Sequence, residues 1–202
     1  MNSQRVTLLV PLDLSAASDT VDHGSSFGIH GETLEWFSSY LLGRSQRILF
    51  DGIKSDSFDL RFGVPQGRYL GPLLFVVYAS NLFEIIHAHL PNVHCFADDT
   101  QLYLACNPNS PTDQAEAVCV MERCISDLTK WMYQDKLKIN DDKTEFLIIG
   151  SRQQLLKINP CTVRVGTTDI KPVSEVPNLG SWFDSNFSMF THVSKSCSAA
   201  FL

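Results

Sequence analysis

The sequence predicts an α+β fold, with a mainly antiparallel sheet and helices packed on one face. Patterns typical of strands and of helices alternate irregularly along the chain. One tight acidic hairpin is indicated by β-rich runs at 93–96 and 101–105, with Asp98 and Asp99 in the turn between them. The chain has 202 residues, 44% of them apolar and 19% charged, so it can bury a sizeable core.

The first half of the chain predicts strands and helices from local patterns. Residues 6–14 form a short apolar run typical of a buried strand, in which Pro11 marks an irregularity. Residues 31–42 carry apolar side chains at helical spacing, and Gly43 ends that helix. The other predicted elements are two strands at 46–50 and 57–62, joined by a turn at Asp51-Gly52, and one mostly apolar helix at 73–90.

The second half predicts a long helix and several short strands. Residues 113–134 place apolar side chains near helical spacing and therefore predict a long amphipathic helix. Residues 145–149 predict a strand, and a Pro/Asn turn is expected just before residue 179. Further short strands are predicted at 161–165 and 169–173, and the start of a helix at 187–202.

Charge and cysteine content argue against several classes of protein. With 16 Lys and Arg against 22 Asp and Glu, the net charge is −6, which disfavours a chain whose whole surface binds nucleic acid. The longest apolar run, residues 70–79, is too short to span a bilayer, and the N-terminus lacks the pattern of a signal peptide. The six cysteines form no C-x-x-C pair, so buried or free thiols are expected rather than a zinc site or a disulfide framework.

Three carboxylates are candidates for a metal site. Asp13 lies at the end of the first predicted strand, and Asp98 and Asp99 share the hairpin turn. Adjacent carboxylates repel each other unless a cation compensates them, and Mg²⁺ prefers carboxylate oxygens. If the first strand pairs beside the hairpin, the three groups converge and can hold two Mg²⁺ ions about 4 Å apart, an arrangement suited to displacement at phosphorus. The alternative is a solvated acidic turn.

Three short segments follow one another along the chain. They are Leu-Asp-Leu-Ser-Ala-Ala at 12–17, Gly-Val-Pro-Gln-Gly at 63–67 with Leu-Gly-Pro-Leu-Leu-Phe at 70–75, and Phe-Ala-Asp-Asp-Thr at 96–100. In this order they resemble the palm motifs A, B and C of reverse transcriptases, specifically the LINE-type (non-LTR retrotransposon) enzymes of animals. Supporting likenesses lie at 36–47, at 137–146 for motif D and at 179–184 for motif E.

The resemblance implies a right-hand polymerase palm over residues 1–190, partly deleted after motif A, with 191–202 as a truncated C-terminal segment. It implies RNA-directed DNA polymerase chemistry in which Asp13, Asp98 and Asp99 bind Mg²⁺, or alternatively Mn²⁺. The expected partners are an RNA template, a DNA primer and deoxynucleotides, with no membrane and an unknown protein partner. The expected location is the nucleus or the cytosol, so the chain is not expected to be secreted.

The resemblance also gives roles to other residues. Gln66 and Gly67 would lie near the template and the incoming nucleotide, although an ordinary turn is the alternative. Lys143 aligns with the lysine proposed to protonate the leaving pyrophosphate, and a solvated loop lysine is equally consistent with the sequence. Residues 179–184 would form a primer grip, or else a core strand.

Departures from the family pattern bear on activity. Ser18 stands where the family usually has an aromatic residue that acts as a steric gate against the ribose 2′-hydroxyl. Residues 24–27 replace a helical segment, and Arg68 and Tyr69 are bulkier than the usual residues of motif B. Fingers and thumb regions are expected to be missing, so we expect the isolated chain to be inactive. The alternatives are a non-catalytic remnant or a co-opted interaction module that keeps the palm fold.

Overall fold

The structure is a computed structural model that describes residues 5–14, 21, 23, 29–64, 70–96, 99–135 and 137–200. The helices within these ranges are α1 (Glu32–Leu41), α2 (Leu70–Tyr78), α3 (Asn81–His87), α4 (Pro111–Gln134), α5 (Arg152–Leu155) and α6 (Phe190–Ala200). The strands are β1 (Val6–Leu12), β2 (Ser45–Gln46), β3 (Leu49–Phe50), β4 (Ile53–Lys54), β5 (Phe58–Asp59), β6 (Val93–Phe96), β7 (Asp99–Cys106), β8 (Phe146–Ile149), β9 (Val163–Val165), β10 (Thr168–Ile170), β11 (Pro172–Val173), β12 (Glu175–Asn178) and β13 (Ser181–Asp184).

The central sheet has the strand order β11–β8–β1–β7–β6. Strand β1 lies between β7 and β8 and is antiparallel to both, while β6 and β7 form an antiparallel hairpin. Along the chain, α1, the short strands β2–β5 and the helices α2 and α3 lie between β1 and β6, and α4 lies between β7 and β8. This βαββαβ connectivity is the split βαβ, or ferredoxin-like, arrangement. The predicted combination of a mainly antiparallel sheet with helices is confirmed.

The two faces of the sheet are covered differently. Alternate residues of β1, including Leu8 and Val10, join the main core with buried side chains of the helices, among them Leu128 of α4. On the opposite face, Leu9 and its neighbour Leu147 are buried in a second cluster with Val176 of the β12–β13 hairpin. The hairpin is needed there because apolar side chains on the second face must also be removed from water.

Three local predictions were wrong in detail. The helix predicted at 73–90 is broken: the chain tightens at Ser80, whose N–H bonds to the carbonyl of Val77, three residues earlier, and α3 then starts at Asn81. The strands predicted at 46–50 and 57–62 split into two separate ladders, although the predicted turn at Asp51-Gly52 is present, with φ of 47° and 78°. The segment predicted as a Pro/Asn turn before residue 179 is strand β12.

The acidic hairpin also differs from the prediction. Asp99 is the first residue of β7 and pairs with Phe96, so it belongs to the ladder and not to the turn. This pairing leaves a two-residue connection, which is the commonest length for a hairpin. Asp98 falls in that connection and lies outside the described residues.

Candidate active site

Strand register brings Asp13 and Asp99 to neighbouring positions. Leu12 of β1 pairs with Thr100 of β7, so in an antiparallel ladder the next residues toward this edge are Asp13 and Asp99. Side chains directly opposite each other across such a pair have Cβ atoms about 5 Å apart. Both carboxylates line the same cleft, which has a volume of about 480 Å³. The condition set by the sequence, that the first strand pairs beside the hairpin, is therefore met.

The cleft is built from four segments of the chain. The end of β1, the start of β7 and the loop before β8 meet the tip of the β12–β13 hairpin there. Its described lining residues are Pro11, Leu12, Asp13, Asp99, Asp142, Lys143, Glu145, Pro177, Asn178, Leu179 and Gly180. Lys143 therefore shares the cleft with the two aspartates. Four of these lining residues are acidic and one is basic, so the field in the cleft favours cations.

Asn140 anchors Asp13 through both its side chain and its backbone. Its Nδ2 donates to Oδ2 of Asp13 at 3.0 Å, and its N–H donates to the Asp13 carbonyl at 2.8 Å. The adjacent residues Leu14 and Ile139 form an isolated antiparallel bridge. Asn140 lies in the segment that resembles motif D, and the sequence alone predicts no role for it. A contact across 127 residues leaves no local sequence signal.

The β12–β13 hairpin forms one wall of the cleft. Leu179 and Gly180 both have positive φ, 47° and 78°, between the paired residues Asn178 and Ser181, which is the geometry of a type I′ turn. Nε2 of Gln101 donates a hydrogen bond to Oδ1 of Asn178 at the tip of the hairpin, at 2.6 Å. Gln101 is buried and lies two residues after Asp99 on β7, so the hairpin tip is tied to the strand that carries Asp99.

A lysine on α6 stabilises the base of this hairpin. Nζ of Lys195 lies 2.5 Å from Oε1 of Glu175 and 3.2 Å from the centre of the Trp182 ring. Burial raises the pKa of Glu145 in the cleft, and the positive charge of Lys195 partly offsets that rise. Hydrogen bonds from Lys195 and Thr191 hold the pKa of Glu175 below its ordinary value. Helix α6 thus contributes positive charge beside an acidic cleft.

The donor set of the cleft fits a hard divalent cation. Carboxylate oxygens such as those of Asp13 and Asp99 are the ligands that Mg²⁺ prefers. Within the residues that the structure describes, no group of three His, Cys, Asp or Glu side chains is arranged to hold a metal ion. The third predicted ligand, Asp98, is outside that set, as are the predicted substrate-binding residues Ser18, Gln66 and Gly67.

The cysteines and the helices bear on two further expectations, about thiols and about the membrane. All six cysteines are free thiols, as expected, and burial raises the pKa of Cys106 to about 11 and that of Cys124 to about 12. Over the described ranges, the helices are all too short or too polar to cross a membrane.

The chain matches a known protein family. The family model described as "Reverse transcriptase (RNA-dependent DNA polymerase)" matches residues 1–183, which is most of the chain and includes Asp13, Asp99 and Lys143. The match agrees with the resemblance to reverse transcriptases found in the motifs, without distinguishing LINE-type enzymes from others. The chain belongs to the reverse transcriptase (RNA-dependent DNA polymerase) family.

Proposed function

We propose that the chain is the palm of an RNA-directed DNA polymerase from a LINE-type retrotransposon, with its metal centre at Asp13, Asp98 and Asp99. The observation that carries this proposal is the β1–β7 register, which brings Asp13 and Asp99 together in an acidic cleft. Reverse transcriptase domains in general act on nucleic acids and nucleotides and use divalent metal ions. The βαββαβ topology is compatible with a palm.

The proposed reaction joins a primer 3′-hydroxyl to the α-phosphorus of a deoxynucleotide and releases pyrophosphate. Divalent metal ions, when bound, would lower the pKa of the 3′-hydroxyl and neutralise charge on the transferred group. Asp13 and Asp99 would hold them from adjacent strands, with Asp98 as the third ligand. The ladder between β1 and β7 supports this arrangement, because it places the backbone that carries the two side chains at neighbouring positions without any ligand, and such chemistry requires preorganised groups.

Lys143 is proposed as the acid that protonates the leaving pyrophosphate. Its side chain is exposed and lines the cleft that contains Asp13 and Asp99, on the loop held to Asp13 by Asn140. An ammonium group in this position can donate to a phosphate oxygen and transfer a proton to it. Substitution by Arg keeps the positive charge but removes the accessible proton, so it separates proton donation from charge attraction.

The remaining site residues extend the proposal to the substrates. Gln66 and Gly67 would contact the template and the incoming nucleotide, and Ser18 would face its sugar. A serine leaves more space than an aromatic side chain at that position, so we propose weakened discrimination between deoxyribose and ribose. We also propose that the isolated chain does not extend a primer efficiently, because a net charge of −6 opposes the binding of a primer–template duplex.

A second candidate function is a non-catalytic interaction module that retains this fold. One observation favours it: the arm formed by β3 and β4 exposes 80% of Phe50 and 75% of Ile53. Exposed apolar patches mark interaction sites or surfaces from which a partner has been lost. This candidate predicts a protein partner whose binding survives Asp98→Ala, and absence of such a partner from pull-downs would remove the support for it.

The test of the main proposal is a metal-dependent thermal shift. Mg²⁺ or Mn²⁺ that binds only the native state raises the melting temperature, and Asp13→Ala or Asp98→Ala should abolish the rise. Asp142→Asn is the matched control, because Asp142 lines the same cleft but lies outside the proposed metal centre; this variant should keep most of the shift. No shift in the parent, or a shift unchanged in both alanine variants, would contradict the proposed centre.

A further inference from the structure

We propose that Asn140 is a positioning residue that orients the Asp13 carboxylate for the metal centre. This inference rests on the proposed function, since it assumes that Asp13 binds the metal. Asn140 itself would touch neither metal nor substrate. It would act by occupying one carboxylate oxygen of Asp13, so that the other oxygen points into the cleft.

The contact fixes Asp13 at two points. Nδ2 of Asn140 holds Oδ2 of the side chain at 3.0 Å, and the Asn140 N–H holds the main-chain carbonyl of the same residue at 2.8 Å. The Leu14–Ile139 bridge continues this pairing by one more residue on each side. Asp13 follows directly after Leu12, the last residue of β1. The contacts with Ile139 and Asn140 therefore hold the backbone in place for two residues beyond the end of that strand.

An asparagine suits this role for chemical reasons. The amide donates a hydrogen bond without carrying a charge, so it holds the carboxylate without neutralising it. A lysine or arginine in its place would compete with the cation for Asp13, and an aspartate would add a repelling carboxylate. A carboxylate has lone pairs for about four partners, so one amide contact leaves capacity for metal coordination.

The backbone of Asn140 links this contact to Lys143. The Asn140 carbonyl accepts hydrogen bonds from the N–H of Lys143 at 3.2 Å, from the N–H of Thr144 at 2.9 Å and from Oγ1 of Thr144 at 2.9 Å. Thr144 is buried, so the end of this turn is anchored in the protein. The side chain of Asn140 therefore faces Asp13, while its carbonyl closes the turn that carries Lys143 into the cleft.

The test measures Mn²⁺ affinity by electron paramagnetic resonance of the free ion, in the parent chain and in Asn140→Ala. The alanine variant retains the hydrogen bond from its backbone N–H to the Asp13 carbonyl and the hydrogen bonds that its own carbonyl accepts. It loses only the side-chain amide. Removing a group that orients a metal ligand typically weakens metal binding about 10- to 100-fold, so we expect at least a tenfold loss. Asn109→Ala is the matched control: it removes an exposed amide that accepts from Lys157 outside the cleft, and should leave the affinity unchanged.

A second measurement detects the hydrogen bond between Asn140 and Asp13 in the absence of metal. The side-chain amide resonances of Asn140 in a ¹⁵N correlation spectrum should move toward the values of a free amide in Asp13→Ala. Unmoved resonances, or Mn²⁺ binding by Asn140→Ala as tight as that of the parent, would overturn the positioning role while leaving the metal centre intact. Failure of the parent to bind Mn²⁺ through Asp13 would overturn the proposed function, and this inference with it.

Discussion

Asp184 at the end of β13 is expected to stabilise the junction between the hairpin and α6. The residue is only 8% exposed. Oδ1 accepts hydrogen bonds from the N–H groups of Asn186 and Ser188, both at 3.0 Å, and Oδ2 accepts from the Ser188 hydroxyl at 2.8 Å. Asp184→Asn preserves the shape of the side chain and an acceptor oxygen, but it removes the negative charge that strengthens these three bonds.

The magnitude follows from the difference between charged and neutral acceptors. A hydrogen bond to a charged group contributes about 1.5–3 kcal/mol, against about 1 kcal/mol for a neutral pair. With three donors sharing one carboxylate, the bonds are not additive, and we expect Asp184→Asn to lower the free energy of unfolding by about 2 kcal/mol at neutral pH. Asp184→Ala should cost more, because it removes both acceptor oxygens that the N–H groups of Asn186 and Ser188 use.

The loss should depend on pH in a defined direction. Burial alone would raise the pKa of Asp184, but the hydrogen bonds from Ser188 and Asn186 outweigh it, so this pKa lies below its ordinary value. A carboxyl whose folded-state pKa is lowered contributes full stability above its unfolded-state pKa, and the contribution disappears as pH falls through the folded-state pKa. The gap between parent and Asp184→Asn should therefore be largest at neutral pH and shrink in acid.

Urea denaturation of the parent and of Asp184→Asn at neutral pH and at a series of acidic values measures this gap directly. Ser198→Ala, on the exposed face of α6, is a suitable control because its hydroxyl donates to the carbonyl of Ser194 within the same helix. Equal stability of parent and variant at neutral pH would refute the reasoning, and so would a gap that stays constant down to the acid limit.

Three further results are expected. Gln101→Ala removes the hydrogen bond to Asn178 at the hairpin tip and should lower the free energy of unfolding by about 1 kcal/mol. Amide hydrogen exchange should become faster in β12 and β13 and stay the same in α4. Unaltered exchange in the hairpin would contradict the role of this hydrogen bond. Phe146→Ala empties a fully buried site in β8 and should lower the free energy of unfolding in urea by about 3–5 kcal/mol. At pH 8 a thiol reagent should modify the exposed Cys119 and Cys197 rapidly and the buried Cys124 only after unfolding. The reason is that burial shields the Cys124 thiol and raises its pKa to about 12. Rapid labelling of Cys124 in the folded chain would contradict the burial of this part of the core.

Elements with a continuous local pattern could be predicted from the sequence. The long helix α4 was expected at 113–134 and occupies Pro111–Gln134, because its apolar residues repeat at helical spacing over more than five turns. The β6–β7 hairpin was recognisable from its two β-rich runs and the short acidic segment between them.

Elements that depend on tertiary pairing could not be predicted. Strand β12 contains Pro177, which lacks a backbone N–H, and ends in Asn178, so the segment resembles a turn. It is a strand because it belongs to a two-stranded hairpin in which a proline is tolerated and because Val176 covers Leu9 and Leu147.

The candidate site shows the same division. The residue types of Asp13 and Asp99 suggest a metal centre, and the order of the motifs suggests a reverse transcriptase. Whether the two carboxylates lie close together depends on the pairing of β1 with the hairpin, which the sequence alone does not establish. The contacts that hold the cleft together, from Asn140 to Asp13 and from Gln101 to Asn178, join residues 127 and 77 positions apart. Such contacts follow from the sheet topology and have no local pattern.

Anomalous diffraction from crystals of this chain soaked in Mn²⁺ tests the proposed metal centre most directly. The account predicts an anomalous peak in the cleft within bonding distance of a carboxylate oxygen of Asp13, shared with Asp98 or Asp99. The same map should lack that peak in Asp13→Ala. Mn²⁺ bound elsewhere on the surface, with the cleft at the end of β1 and the start of β7 empty at saturating metal, would contradict the assignment of these aspartates as metal ligands.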